Sequence, residues 1–397
     1  IFAGTIDFYH SLMGSKEAAR KELLSNFTKQ TGIKVNDIGF FDIFQWQQKT
    51  LAAVAAGLPP DVASNHYYFV PQYAVHGTVE PLDEHFKDWR IDVNKIFAKE
   101  VLKMNSYKGK LYGIPLFVTC RVLLYNKDIF KEAGLNPNKP PRNWEDLVDF
   151  AKKLTIWKGD KLVRAGFKIS PSPEMRTNFF YILLWELGGR ILNEDETKAV
   201  FNSEAGVKAL TFFRDLYLKY KVTSPDFGKG TKGASDPFIA KKAAMSFAGP
   251  YDLVNLKKYV PNMNVGVAFI PRPVDGQYAT LLDSFSIFAF KGAKHKKDAL
   301  QFVKYASSYD AQLQFSKTSC RLPGRLDALS DPYFSAPAYK VFQEAIGKYG
   351  HALPTLPQWT EIQQTILDAI EKVIYSNVDP KTALDEAVRK VNTQILH

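Results

Sequence analysis

Three polar residues, Thr119-Cys120-Arg121, interrupt two apolar runs at residues 111–118 and 122–125. Polar side chains between strand-like runs are costly in a core unless they line a site or find partners. Two further polar pairs end short apolar segments: His10-Ser11 after residues 5–9, and Asn65-His66 after Asp61-Val62-Ala63 and Ser64. Hydroxyl, amide, imidazole and guanidinium groups gathered at strand ends offer donors and acceptors to a small polar ligand. They do not make an enzyme signature. The chain has no Gly-x-Ser-x-Gly and no His-Glu-x-x-His, its seven histidines are scattered, and residues 228–235 lack the Gly-Lys-Ser/Thr ending of a phosphate loop. A glycoside hydrolase needs two carboxylates facing one bond; Asp42 and Asp283 are offered as such a pair, with nothing to join them.

The elements that position these residues follow from periodicity. Residues 5–9 read as a buried strand, 17–27 as an amphipathic helix closed by Thr31-Gly32, and 33–35 as the start of a second strand. Strand, helix and strand in about forty residues is a βαβ unit, which predicts parallel pairing. Ligands of open parallel sheets sit beyond the carboxyl ends of strands, so His10-Ser11 and Asn65-His66 are expected on one rim of a cleft. The stretch 108–144 predicts a strand that leaves one lobe, crosses at 119–121 and enters another. Helices are expected at 144–154, 174–187, 203–220 and 238–242, and strands at 243–247, 265–271 and 281–290. The C-terminal third is largely helical.

Composition narrows the class. The 397 residues are 46% hydrophobic and 23% charged, enough for two domains. No run reaches the roughly 18 apolar residues of a membrane span. The net charge of +11 is spread along the chain without the clustering a phosphate-binding stripe needs, so no nucleic-acid partner is expected. Cys120 and Cys320 form neither a disulfide framework nor a zinc site and read as buried free thiols. No metal and no cofactor is expected. The chain begins Ile1-Phe2-Ala3-Gly4, which predicts a mature protein whose signal peptide has been removed.

Ordered segments now carry a resemblance. FTKQTGIKVN at 27–36, AAGLPPDV at 55–62, GKLYGIPL and LLYNKDIFKEAGL within 109–135, PPRNWEDL at 140–147, ELGGRIL at 186–192, AAMSFAGPYDL at 243–253 and FAFKGAKHKKDALQFVKY at 288–305 are followed by Arg321-Leu322-Pro323 and TALDEAVRKVN. In that order the chain resembles the extracytoplasmic solute-binding proteins of ABC importers, in the carbohydrate-binding family that includes the maltose-binding proteins. The resemblance implies an α/β, periplasmic-binding-protein-like (type II) fold: two α/β lobes around a ligand cleft, joined by three hinge crossings near 119–122, 282–285 and 321–323. It assigns 1–119 and 285–321 to an N-terminal lobe, and 123–281 and 324–397 to a C-terminal lobe.

Site residues follow from the same resemblance. Thr119 matches a polar residue on the crossing strand, with Arg121 returned to the cleft by strand alternation and Cys120 turned away. Asn65 lies where some members stack an aromatic on the sugar, with Tyr68 nearby and His66 beside it on the rim, and His10 and Ser11 match the loop after the first strand. Gly249 and Tyr251 fall in a turn whose Trp stacks on sugar in many members, and Trp359 matches a C-terminal stacking aromatic. Arg176, Asn178 and Tyr181 match contacts from the second lobe, while Asp283 and Arg321 lie at crossings. Trp46, Trp144, Trp157 and Trp185 read as core. The implied ligand is a neutral carbohydrate or cyclitol of one to three rings. An anionic sugar is the rival if Arg121, Arg176 and Arg321 converge. The implied partner is an ABC permease, and a monomer outside the cytoplasm is expected.

Overall fold

The structure, a computed structural model, describes residues 4–396. Ile1, Phe2, Ala3 and His397 lie outside the described residues, and with them the chain start read as the product of signal-peptide removal. The chain divides into two compact units: Ile1–Thr119, Asp283–Ala336 and Ala352–Trp359 form the first, and Cys120–Leu282, Pro337–His351 and Thr360–His397 the second.

In β1 (Thr5–His10) every second residue, Ile6, Phe8 and His10, is buried. Helix α1 (Glu17–Thr31) ends on Gly32, whose φ of 77° supplies the left-handed cap. β2 (Lys34–Gly39) then pairs parallel with β1, as strand–helix–strand requires. Asp42 caps α2 (Ile43–Ala55) by accepting from the Phe44 and Gln45 N–H groups. β3 (Val62–His66) pairs parallel with the other side of β1 and takes Ser64-Asn65-His66 into the strand, all five residues buried. β4 (Ile114–Thr119) completes this pass.

The second unit begins with β5 (Val122–Asn126) and continues through α3 (Trp144–Leu154), β6 (Ile156–Lys158), β7 (Lys161–Lys168), α4 (Pro173–Glu186), α5 (Glu204–Leu218), β8 (Ala243–Ala248), α6 (Asp252–Tyr259) and β9 (Val265–Ala268). The chain returns to the first unit with β10 (Asp283–Ala289), α7 (Lys296–Ala306), α8 (Tyr309–Ser319) and β11 (Leu322–Pro323). α9 (Pro337–Tyr349), α10 (Trp359–Ser376) and α11 (Pro380–Lys390) belong to the second unit, except that Trp359 falls in the first.

The first sheet has the order β11-β4-β10-β3-β1-β2 and the second β9-β5-β8-β7-β6. The first core gathers Ile6, Phe8, Phe27, Phe117, Phe285, Phe302 and Phe315; each such side chain contributes about 1.5–3 kcal/mol on burial. The second is built on Phe179, which meets Phe167, Phe213 and Phe247 at 4.9–5.8 Å between ring centroids. From Arg176 to Glu186 every residue of α4 is buried, so this part of the helix is covered on all sides.

Four expectations are corrected. Residues 321–323 are no crossing: Leu322 and Pro323 pair with Val118 and Phe117 of β4, which holds the chain in the first unit through Ala336. The stretch 108–144 is not one strand across two lobes, because Cys120 and Arg121 separate β4 from β5, which lie in different sheets; strand alternation therefore does not set their faces. Residues 238–241 form a turn, not a helix. Trp157 is 39% exposed on the edge strand β6, where its indole N–H donates to the Lys221 carbonyl at 3.0 Å.

Candidate functional site

One end of the first sheet collects most of that unit's candidates. Parallel β1 and β3 finish there at His10 and His66, while antiparallel pairing sets Thr119, the last residue of β4, opposite Asp283, the first of β10. Arg321 precedes β11 at the same end, since Leu322 pairs with Val118.

Hydrogen bonds then fix which atoms remain for a ligand. Ser11 Oγ donates to Asn65 Oδ1 at 2.8 Å, and the His66 N–H donates to the same oxygen at 2.8 Å. That orients the amide and leaves Asn65 Nδ2 buried with no hydrogen-bond partner among the described residues. Thr119 Oγ1 is in the same position. His66 Nδ1 lies 2.9 Å from Asp283 Oδ1, which also accepts the Ser284 N–H. That contact fixes the orientation of the His66 ring. The His66 ring stacks on Tyr68 at 5.0 Å and 13°, and lies 4.2 Å from the Phe285 ring. Trp359 is fully buried.

Two expected contacts are committed elsewhere in this unit. Nδ1 of His10 accepts the Leu12 N–H at 3.1 Å, so its proton sits on Nε2, 2.6 Å from Asp37 Oδ1. Both ring nitrogens are satisfied, and Arg20 closes the cluster on Asp37 at 3.1 Å. Burial pushes the His10 pKa below its ordinary value, outweighing the Asp37 hydrogen bond that raises it. Arg321 donates to the Ser319 carbonyl at 2.9 Å and Ser15 Oγ at 3.0 Å, with its guanidinium 4.9 Å from the Phe117 ring. It braces the turn between α8 and β11.

In the second unit, Thr280 Oγ1 pins Arg121, accepting its N–H at 2.9 Å and donating to its carbonyl at 2.7 Å. The Arg121 guanidinium donates to Glu174 Oε1 at 3.0 Å and lies 5.5 Å from the Tyr251 ring. Asn178 Nδ2 reaches the same Glu174 oxygen at 3.4 Å. Glu174, Asn178 and Tyr181 stand at i, i+4 and i+7 of α4 and share one face. Tyr251 is half-buried, its hydroxyl 3.7 Å from Met175 Sδ. Gly249 is required beside it, because a Cβ there would meet Tyr251 Cε1 at 2.3 Å and the Cys120 carbonyl oxygen at 2.9 Å. The Gly249 N–H donates to Asp252 Oδ2 at 2.9 Å; burial nonetheless pushes the Asp252 carboxyl up to about 6. Cys120 is a free, fully buried thiol pushed up to about 12 by its desolvation, and Cys320 is also free and buried.

Arg176 is held by partners of its own unit. Its guanidinium donates to Glu371 Oε1 at 2.7 Å, to the Pro225 carbonyl at 3.1 Å and to the Tyr375 hydroxyl, so it ties α4 to α10. Two residues went unnoticed in the sequence, Glu174 and Thr280. Glu174 had a readable signal: it precedes Asn178 and Tyr181 on their own helical face. Thr280 had none, because its partner lies 159 residues away.

Residues 22–341 match the family model described as bacterial extracellular solute-binding protein. Among solved structures, a solute-binding protein of an ABC transporter from Thermotoga lettingae, bound with alpha-D-tagatose, is 27% identical with a TM-score of 0.88, covering 100% of both chains. An ABC substrate-binding protein from Listeria monocytogenes in complex with cycloalternan is 26% identical with a TM-score of 0.87, covering 98% of each. Among curated proteins, the sn-glycerol-3-phosphate-binding periplasmic protein of Pectobacterium atrosepticum is 24% identical over 418 residues, covering 98% of this chain and 91% of its own. The fold is accordingly that of the type II binding proteins, and the chain belongs to the family of bacterial extracellular solute-binding proteins.

Proposed function

We propose that this chain is the extracytoplasmic receptor of an ABC importer, that it captures a neutral carbohydrate or cyclitol of one to three rings, and that it delivers it to the permease without chemical change. The observation that carries the reading is the pair of buried, unpartnered polar atoms, Asn65 Nδ2 and Thr119 Oγ1, at one end of the first sheet. A buried donor with no partner costs stability unless a ligand or water completes it. Each unit also carries aromatic rings: His66 stacks on Tyr68 in the first, and Tyr251 lies 5.5 Å from the Arg121 guanidinium in the second. Apolar ring faces together with hydroxyl-matching donors are what a sugar demands. The sugar-bound solved relatives support the same class.

Charge argues for a neutral ligand over an anionic one. Arg121 is compensated by Glu174, Arg176 by Glu371, and Arg321 is spent on Ser15 and a carbonyl. Each guanidinium already has a partner within its own unit, which weighs against the uncompensated cation that phosphate or uronate calls for. A thermal-shift screen tests the proposal. Neutral mono- to trisaccharides and cyclitols raise the melting temperature, whereas a response confined to glycerol phosphate or uronates contradicts neutrality, and a response confined to amino acids or peptides contradicts the carbohydrate class. Sustained release of reducing ends from an oligosaccharide would contradict simple capture.

A further inference from the structure

Tyr251 owes its place to the carboxylate of the next residue. Three successive i→i+3 bonds carry the chain from β8 into α6: the Asp252 N–H donates to the Gly249 carbonyl at 3.0 Å, Leu253 N–H to Pro250 at 3.1 Å and Val254 N–H to Tyr251 at 3.2 Å. Bonds of that span close a tight turn with poorer geometry than α-helical ones. Asp252 adds a fourth in the opposite sense, because its Oδ2 accepts the Gly249 N–H at 2.9 Å. Gly249 and Asp252 are thus tied twice, with Pro250 and Tyr251 as the loop between them. The loop has little slack, since Gly249 lies too close to the Tyr251 ring and the Cys120 carbonyl for any Cβ. The ring itself stands 5.5 Å from the Arg121 guanidinium, with its hydroxyl 3.7 Å from Met175 Sδ.

The charge on Asp252 matters to that turn. Asp252 opens α6, where a helix N-terminus favours an anion. Lys168 at the end of β7 and Arg121 ahead of β5 face the carboxylate as cations. Asp236 faces it as an anion and is itself paired with Lys168. The other ionisable side chains of α6, Lys257, Lys258 and Tyr259, sit at its far end. Burial pushes the Asp252 carboxyl up to about 6, so it takes up a proton in a mildly acidic medium where ordinary carboxylates stay charged. A hydrogen bond to a charged acceptor is about twice as strong as one to a neutral acceptor. Protonation therefore weakens the hold on the Gly249 N–H.

We propose that Asp252 is a positioning residue for Tyr251: its charged carboxylate holds the Gly249-Pro250-Tyr251 turn in the form that grips a sugar, and its neutral form loosens that grip. This rests on the reading that Tyr251 meets a sugar ring. A neutral sugar does not titrate, so the dependence on acidity belongs to the protein. His10 and His351 also titrate in this range, and Asp252→Asn separates their effect from that of the carboxylate.

The test uses the full chain with ¹³C-labelled tyrosine rings, the Tyr251 signal being assigned by its loss in Tyr251→Phe. Without sugar, that signal is expected to follow a titration centred near 6 in the wild type and to stay still in Asp252→Asn, which keeps an acceptor oxygen but cannot ionise. Affinity is then measured by calorimetric titration at about pH 7.5 and about pH 5, with whichever of maltose, mannobiose and D-tagatose most raises the melting temperature. The wild type is expected to lose about threefold or more between the two, while Asp252→Asn binds at both with the weaker affinity. A Tyr251 signal that ignores pH, or that titrates equally in Asp252→Asn, overturns the proposal. So does wild-type affinity that is the same at both pH values. Binding by none of the three sugars counts against the carbohydrate reading, and the sugar-free titration still decides whether Asp252 positions the ring.

Discussion

Ser11 Oγ donates to Asn65 Oδ1 at 2.8 Å, and that bond decides which end of the Asn65 amide meets a ligand. With Oδ1 shared between Ser11 and the His66 N–H, the donor end is left buried with no partner among the described residues. Asn65→Asp keeps the shape and replaces that donor with an acceptor. Its affinity for the stabilising sugar is expected to fall about tenfold, or about 1.4 kcal/mol, by calorimetric titration. Ser11→Ala frees the amide to rotate and is expected to cost less. Unchanged affinity in Asn65→Asp would take this residue out of the site.

The Arg121–Glu174 pair predicts a change of selectivity. Glu174 accepts from the Arg121 guanidinium at 3.0 Å and offsets its charge. Glu174→Gln is expected to weaken neutral-sugar binding by about 1 kcal/mol and to improve binding of galacturonate relative to galactose. A parallel loss for both sugars would mean that Glu174 acts on packing alone.

Arg176 separates structure from binding. Arg176→Met leaves Glu371 and the Tyr375 hydroxyl without their cation. The expected cost is about 2 kcal/mol, below that of a fully buried pair because Glu371 is 40% exposed. It appears as a lower melting temperature with sugar affinity unchanged. Lost affinity in a variant of normal stability would restore Arg176 to the site.

These outcomes show where sequence reasoning reached. The β1–α1–β2 unit and the polar strand ends were legible because each depends on neighbours within a few residues. What failed was non-local. A two-residue strand such as β11 carries no periodicity, and only its pairing with Val118 keeps the chain in the first unit. Arg176 and His10 sit at plausible positions, yet their partners, Glu371 and Asp37, are 195 and 27 residues away. Position alone cannot separate a polar group that is already satisfied from one that waits for a ligand.

His10 also predicts how stability depends on pH. Its folded pKa is held below the ordinary 6.5 by burial, so the unfolded chain takes up a proton that the folded chain resists. Stability from this group is complete above 6.5 and is lost as pH falls below it. His351, also lowered by burial, adds with the same sign. Between about pH 7 and about pH 5, unfolding free energy is expected to fall by up to about 1.4 kcal/mol per pH unit for each histidine. His10→Asn removes its share, measured by denaturant unfolding across that range. An identical pH dependence in the variant would contradict the assignment.

Thr119 Oγ1 is the most direct test of the central claim, that buried and unpartnered polar atoms at the end of the first sheet receive a carbohydrate. Thr119→Val removes the hydroxyl and keeps the branched shape that β4 packs. Calorimetric titration with the sugar that most raises the wild-type melting temperature is expected to show affinity reduced about fivefold to tenfold, with the melting temperature of the sugar-free protein nearly unchanged. Equal affinity in Thr119→Val and wild type would contradict the account.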